Sequence, residues 1–226
     1  MKKIFFVLLL FALSMHSSLA DSGDYRAIFG DPRVLSNVGK IANIEFDYSN
    51  LTIVVKENKE YINIPFDEWV NMYARESDVE DWLNKFPEER KEKELKFIKN
   101  YNEETKKGVK IRNSSKKHDY KIIVHVKNIN FGENKPNYGG GVGAARALIG
   151  GGWAAIRGYC IWNIDVYDIS NNELLTTIEC SASGGGYTAL KMLGQCYSDI
   201  GEELPEYIKN FEKIDAKQKK KAAKNK

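Results

Sequence analysis

Residues 157–182 read RGYCIWNIDVYDISNNELLTTIECSA, and this stretch decides the fold. Trp162, Ile164 and Val166 alternate with polar residues, and a turn of residues 170–172 follows them. The return strand then places Leu174, Thr176, Ile178 and Cys180 at every second position. A period of two is typical of a strand that buries one face. The stretch therefore predicts a β-hairpin.

The same reasoning places the other elements. Residues 41–55 predict a strand broken near Ser49 and Asn50, and residues 119–131 predict another strand. Residues 65–108 predict a helical region, in which Asp78 caps one helix and Pro87 opens another. A long amphipathic helix is predicted from apolar residues at helical spacing: Leu190, Leu193, Cys196, Tyr197, Ile200, Leu204, Tyr207, Ile208 and Phe211.

The order of these elements predicts an α+β (α/β-like) fold. It runs strand, helices, strand, Gly-rich loop, β-hairpin, helix. The first strand–helix–strand unit favours a right-handed parallel crossover, and the hairpin adds antiparallel strands. We expect one mixed sheet packed by helices. The predicted organisation is a signal peptide (1–20), a single globular domain (21–212) and a basic disordered tail (213–226).

The first 20 residues resemble a secretory signal peptide. Lys2 and Lys3 precede ten apolar residues, and Ala20 offers a small residue for cleavage. Ten apolar residues are too few to span a bilayer, which needs about 20. No cysteine lies near the cleavage point, which argues against a lipid anchor. We expect an exported protein that is periplasmic, outer-membrane-associated or secreted, with no transmembrane helix after cleavage.

The charge distribution argues against nucleic-acid binding. The formal charge of +3 falls to +1 without Lys2 and Lys3, and residues 213–226 carry seven lysines and one aspartate. The body therefore has a charge of −5, without the basic face that nucleic acids require. A lysine run of this kind is typically solvated.

The three cysteines, Cys160, Cys180 and Cys196, allow one pair and leave one thiol over. A domain of this size needs no disulfide framework. Buried thiols packed as small apolar groups are favoured, and a disulfide between two of them stays open.

The candidate interaction site is the stretch 139–158, GGGVGAARALIGGGWAAIRG, which holds eight of the 18 glycines. It fits a loose dinucleotide template at residues 139–144, but the partner acidic residue is missing, so we expect no cofactor. A flexible connection that binds a partner is favoured over a segment that touches a membrane. The candidate residues are Gly139, Gly140, Gly141, Arg146, Gly150, Gly151, Gly152, Trp153 and Arg157.

The sequence offers little for catalysis. His118 lies in a polar turn and His125 projects from a strand beside lysines. With the thiols scattered elsewhere, they predict neither a catalytic triad nor a zinc site. Ser114 and Lys117 match a Ser-x-x-Lys motif whose companion motifs are missing. We expect no catalytic residues, no metal and no enzyme.

Short motifs, including FDYSN at residues 46–50 and the strand that contains Tyr120, resemble an uncharacterised family of exported bacterial envelope proteins, over roughly residues 40–210. The landmarks are the glycine-rich segment 146–150, the hairpin stretch 165–168 with Leu174, and the glycine loop 184–186. The architecture is similar to that of the curli secretion channel protein and of activators of penicillin-binding proteins. The resemblance implies an accessory role and no catalytic residues.

Two functions remain open. The favoured one is a non-enzymatic binding or assembly factor that contacts another envelope protein or envelope component. The alternative is an oligomeric, channel-like ring associated with the outer membrane through residues 139–158. A hydrolase of unrecognised type, using Ser114 or His125, is a third hypothesis.

Overall fold

The computed structural model describes residues 23–112, 117–132, 136, 138 and 156–224. Its strands are β1 (Tyr25–Gly30), β2 (Ile41–Asp47), β3 (Thr52–Glu57), β4 (Glu60–Pro65), β5 (Lys110–Ile111), β6 (Tyr120–Asn130), β7 (Ile156–Asp168) and β8 (Glu173–Gly186). Its α-helices are α1 (Phe66–Met72), α2 (Phe86–Glu104) and α3 (Ala189–Lys224). Short 3-10 turns at Pro32–Ser36 and Glu76–Asp78, and a π-turn at Asp81–Lys85, complete the described elements.

The strands form one mixed eight-stranded sheet in the order β1-β8-β7-β6-β2-β5. β6 pairs in parallel with β2 along its first half and with β3 at Asn128 and Ile129. β2 and β3 therefore occupy successive stretches of the same edge of β6, separated by a turn at residues 49–50. This confirms the predicted break near Ser49 and Asn50.

The predicted fold class is confirmed, since a mixed sheet packs against three helices. β2 and β6 are parallel, as expected when helices separate two strands of one sheet. β1, β4 and β5 are additional strands that the sequence analysis does not predict. Of the strands that the structure describes, β1 pairs with β8 alone, and β5 contributes two residues beside β2.

The hairpin has the predicted alternation. Trp162 lies opposite Cys180 and Ile164 opposite Ile178, and all four side chains are buried. The turn occupies residues 169–172, and Asn172 adopts a left-handed conformation (φ 57°) that asparagine tolerates better than most residues. Cys160 lies opposite Ala182, so Cys160 and Cys180 are diagonal neighbours, as the sequence predicts.

The long helices α2 and α3 pack on one face of the sheet and against each other. The centre of this core is Trp162, which is fully buried. Its ring meets the rings of Phe46, Phe97 and Tyr197, with centroids 4.5 Å from Tyr197 and 5.7 Å from Phe97. Side chains from two strands and both helices thus share one aromatic cluster, which positions the helices over β2 and β7.

Two predicted helix starts have different outcomes. Pro87 lies in the first turn of α2, as predicted. Asp78 was expected to cap a helix, but it ends a 3-10 turn, and its carboxylate accepts a hydrogen bond from the backbone N–H of Tyr138 at 3.1 Å. A short acidic side chain satisfies any nearby backbone donor, so the prediction of a cap at Asp78 is wrong.

The last helix is longer than its apolar stripe. α3 continues to Lys224 and contains Pro205, whereas the sequence analysis expects a disordered tail from residue 213. Lysine and alanine are good helix formers, so a helix already begun at Ala189 propagates into this stretch. Among the described residues, no helix is both long and apolar enough to cross a membrane.

Candidate functional site on the open face of the sheet

The side chains that point away from α2 and α3 form the open face of the sheet. They alternate in sequence with the core residues, so β7 presents Asn163, Asp165 and Tyr167 between Trp162, Ile164 and Val166. Most of them are partly exposed, in contrast to the buried positions beside them. We define the open face by residues 43, 45 and 47 of β2, residues 121, 123 and 125 of β6, residues 161, 163, 165 and 167 of β7, residues 177 and 179 of β8, and Arg26 of β1.

A row of polar side chains crosses four strands at the centre of this face. His125 Nδ1 lies 2.8 Å from Asp47 Oδ2, and His125 Nε2 lies 3.4 Å from Asp165 Oδ2. Thr177 Oγ1 donates a hydrogen bond of 2.6 Å to the other oxygen of Asp165. We call Asp47, His125, Asp165 and Thr177 the polar row.

Each member of the row comes from a different strand. β2 contributes Asp47, which lies directly beside His125 in the parallel register of β2 and β6. Asp165 comes from β7 and lies beside Thr177 of β8. The row therefore exists only when all four strands are assembled in this register.

The central ring of the row, His125, lies between two carboxylates. Its Nδ1 faces an oxygen of Asp47 and its Nε2 faces an oxygen of Asp165. Hydrogen bonds from the backbone N–H and the side chain of Ser49, together with His125, lower the pKa of Asp47. Burial and the neighbouring Asp165 raise the pKa of the Tyr167 hydroxyl, so it stays a neutral donor.

Ion pairs flank the row on both sides. Lys121 Nζ lies 2.9 Å from Glu45 Oε2, and Arg26 Nη2 lies 2.8 Å from Glu179 Oε1. Positive and negative groups are therefore interspersed across the face. Such a surface presents many donors and acceptors and matches a polar partner in a specific register.

The row is a surface rather than an enclosed pocket. The side chains of His125 and Asp47 are each one third exposed, so solvent reaches the ring. A cavity of about 270 Å³ lies elsewhere, bordered by Tyr48, Phe66, Trp82 and Arg90. Among its polar groups, Tyr48 donates to Glu94 at 2.8 Å and Arg90 stacks on the Tyr48 ring. In the described ranges, no three His, Cys, Asp or Glu side chains are arranged to hold a metal ion.

No protein-family model and no curated protein sequence matches the chain. Among solved structures, it is similar to two crystal forms of the PelC dodecamer from Paraburkholderia phytofirmans, at 11% and 12% identity. Each match covers 81% of this chain and 97% of the PelC chain, with TM-scores of 0.36 and 0.37. It is also similar to the protein XCC0632 from Xanthomonas campestris, of family model DUF330, at 8% identity. That match covers 83% of this chain and 94% of the other, with a TM-score of 0.40.

The similar structures thus include a protein of the family model DUF330. The likeness to the curli secretion channel and to activators of penicillin-binding proteins stays a prediction. At these TM-scores the matches carry no inference about what this chain does.

Most of the predicted interaction site lies outside the described residues. The predicted positions outside the described residues are Gly139, Gly140, Gly141, Arg146, Gly150, Gly151, Gly152 and Trp153. Ser114, which the hydrolase hypothesis uses, also lies outside them. Arg157 is described: it lies in β7 opposite Gly185, with an exposed side chain. His118 is separate from the row, and its Nε2 lies 2.9 Å from the backbone oxygen of Arg112.

His125 acquires its partners only in the structure. The sequence places it on a strand beside lysines, and it does not show that Asp47 and Asp165 lie next to it. The sequence does contain one indication of these contacts, because Asp47 and Asp165 each occupy a polar position of an alternating strand. Pairing those positions needs the register between β2, β6 and β7.

Proposed function

We propose that the protein is a non-enzymatic binding factor of the cell envelope that contacts its partner through the open face. One observation carries the proposal: both long helices cover one face of the sheet, while the other presents an ordered polar row. Ordered polar side chains on an exposed surface are a common mark of recognition. The signal-peptide pattern of residues 1–20 supports export to the envelope.

Binding is favoured over catalysis because of how the polar row is arranged. A general base needs a free nitrogen or oxygen within reach of a substrate proton, in a site that holds the substrate. Here both nitrogens of His125 face carboxylates, and the Asp165 oxygens meet His125 and Thr177. The groups hold one another in place, which suits a surface that must present a fixed pattern of polar groups.

Site-specific photo-crosslinking in producing cells tests this proposal. The crosslinker p-benzoylphenylalanine replaces Tyr167 on the open face or, as a control, Leu95, which is 65% exposed on α2. We expect a crosslinked adduct of higher mass from position 167 and none from position 95. The absence of an adduct at 167, or equal adducts at both positions, contradicts the proposal.

A second candidate is self-association into an oligomer, and the exposure of β4 favours it. Among the described strands, β4 pairs only with β3, and Tyr61 is 56% exposed. No charged side chain lies between Tyr61 and Pro65. β4 therefore has few of the features that prevent an edge strand from pairing with another chain.

The oligomer is tested by size-exclusion chromatography with light scattering, with and without mild detergent. A closed multimer supports self-association, and one that needs detergent also supports contact with a membrane. A monomer in both conditions contradicts this second candidate and leaves the open face for a different partner.

A further inference from the structure

The cavity bordered by Tyr48, Phe66, Trp82 and Arg90 is separate from the polar row. Its volume of about 270 Å³ is close to the lower end of the range of about 300–1,000 Å³ that is usual for small-molecule sites. Four segments border it: the turn after β2, the start of α1, the π-turn and the first turns of α2. The cavity is therefore of a size that suits a small ligand.

Aromatic rings give the cavity an apolar wall. The ring of Phe66 packs on those of Trp82 and Phe86, with centroid distances of 6.1 Å and 5.2 Å. Leu83 follows Trp82 in the π-turn, borders the same cavity and is 45% exposed. Rings packed against one another, with a leucine beside them, favour a ligand with a flat apolar body.

Arg90 adds a positive charge to this wall. Its guanidinium lies over the ring of Tyr48, 3.9 Å from the centroid. No ion pair between described residues includes Arg90. Glu94, one turn further along α2, has the spacing of a usual partner, but it accepts a hydrogen bond from the Tyr48 hydroxyl at 2.8 Å. A guanidinium that is stacked on a ring and not paired with a carboxylate is suited to bind an anionic group.

A chain of hydrogen bonds holds the ring on which Arg90 rests. The Tyr48 hydroxyl donates to Glu94 of α2 and lies 2.7 Å from the hydroxyl of Tyr197, a buried residue of α3. Both long helices therefore fix the position of Tyr48. The guanidinium is placed against the cavity without any ligand, and such preorganisation lowers the entropic cost of binding.

We propose that this cavity binds a small amphipathic anion. The flat apolar body of the ligand packs against Phe66 and Leu83, and its anionic group pairs with the guanidinium of Arg90. Asp67 also borders the cavity, but its side chain is exposed, so solvent screens its charge. The site uses no residue of the polar row, so it does not depend on the function proposed above.

Fluorescence titration with a matched pair of dyes tests the site. Anilinonaphthalene sulfonate is an aromatic anion, and N-phenylnaphthylamine has the same rings without the sulfonate. We expect the wild type to bind the charged dye at one saturable site. Arg90→Gln should weaken that binding about tenfold and leave the affinity for the neutral dye unchanged, because a hydrogen bond to a charged group has about that effect. Lys91→Gln is the control, since Lys91 is 60% exposed, pairs with Glu88 and does not border the cavity.

A second variant leaves the stack of Arg90 on Tyr48 intact and should have the opposite effect. Asp67→Asn removes a negative charge beside the cavity, so at low ionic strength it should strengthen the binding of the charged dye by up to about fivefold. Three results would each overturn the proposal: no saturable binding of the charged dye by the wild type, equal effects of Arg90→Gln on the two dyes, or an Asp67→Asn protein that does not bind the charged dye more tightly.

Discussion

The two faces of the sheet are made by the same strands and differ in almost every physical property. On the helix side, Trp162, Ile164 and Val166 of β7 are buried in a continuous core. On the open side, Asn163 and Asp165 alternate with them and remain partly exposed. Since successive residues of a strand point in opposite directions, one sequence serves both purposes at once.

The two faces place different constraints on the residues that form them. The helix side must fill space, so its residues are large, apolar and intolerant of volume changes. The open side must keep a pattern of charge, and its members hold one another through hydrogen bonds such as that from Thr177 to Asp165. Substitutions on the first face should change stability, and those on the second should change recognition.

The largest effect is expected at Trp162. Trp162→Ala leaves a cavity among Phe46, Phe97 and Tyr197 and should lower the free energy of unfolding by about 3–5 kcal/mol. Asn163→Ala, one position away on the open face, should lower it by less than about 0.5 kcal/mol. Urea denaturation of both variants measures the difference, and equal losses would remove the distinction between the faces.

The close approach of α3 should give the next largest effect. Gly184→Ala forces a Cβ against the backbone of Met192 and should destabilise the protein by about 1–3 kcal/mol. Gly194→Ala is the matched control, because among the described atoms its Cβ would meet the flexible Lys93 side chain alone, at 3.5 Å. In a helix interior that change should stabilise by about 0.5–1 kcal/mol. Opposite signs in urea denaturation support the account, and a neutral Gly184→Ala contradicts it.

The sequence predicts the helix side far better than the open side, for a physical reason. The alternation of the hairpin and the apolar stripe of α3 are local patterns, so they can be recognised without knowing the fold. The polar row depends on the register of β2, β6 and β7, which no local pattern encodes, so Asp47 and Asp165 were missed as partners of His125. The short strands β1 and β5 were missed because each is stabilised by a neighbour distant in sequence, whereas β4 was missed although it pairs with the adjacent strand β3.

A smaller effect on the open face should depend on pH. The pKa of Asp47 is lowered in the folded protein, so the unfolded chain binds more protons as the pH falls through the usual aspartate range. The stability that Asp47 contributes is present above about pH 4, the usual pKa of an unfolded aspartate, and is lost below it. Asp47→Asn should therefore be less stable than the wild type at pH 6, and the gap should narrow towards pH 3. Urea midpoints across this range measure it, and a gap that widens on acidification would contradict the assignment.

The smallest effect is expected at an ion pair of the open face. Lys121 and Glu45 are both substantially exposed, so Lys121→Ala should change the free energy of unfolding by less than about 1 kcal/mol. The effect should diminish further in high salt, because exposed charges are screened. A larger loss of unfolding free energy, measured by urea denaturation, would contradict the view that this exposed ion pair contributes little to stability.

One measurement tests most directly whether the open face is a binding surface. Hydroxyl-radical footprinting compares the oxidation of Tyr167 in the purified protein with its oxidation in producing cells. Tyr187, which is 37% exposed and lies with Lys93 and Lys96 on the helix side, is a control of the same residue type. The account predicts that Tyr167 is protected in cells while Tyr187 is oxidised equally in both settings. Equal oxidation of Tyr167 in both settings would contradict it.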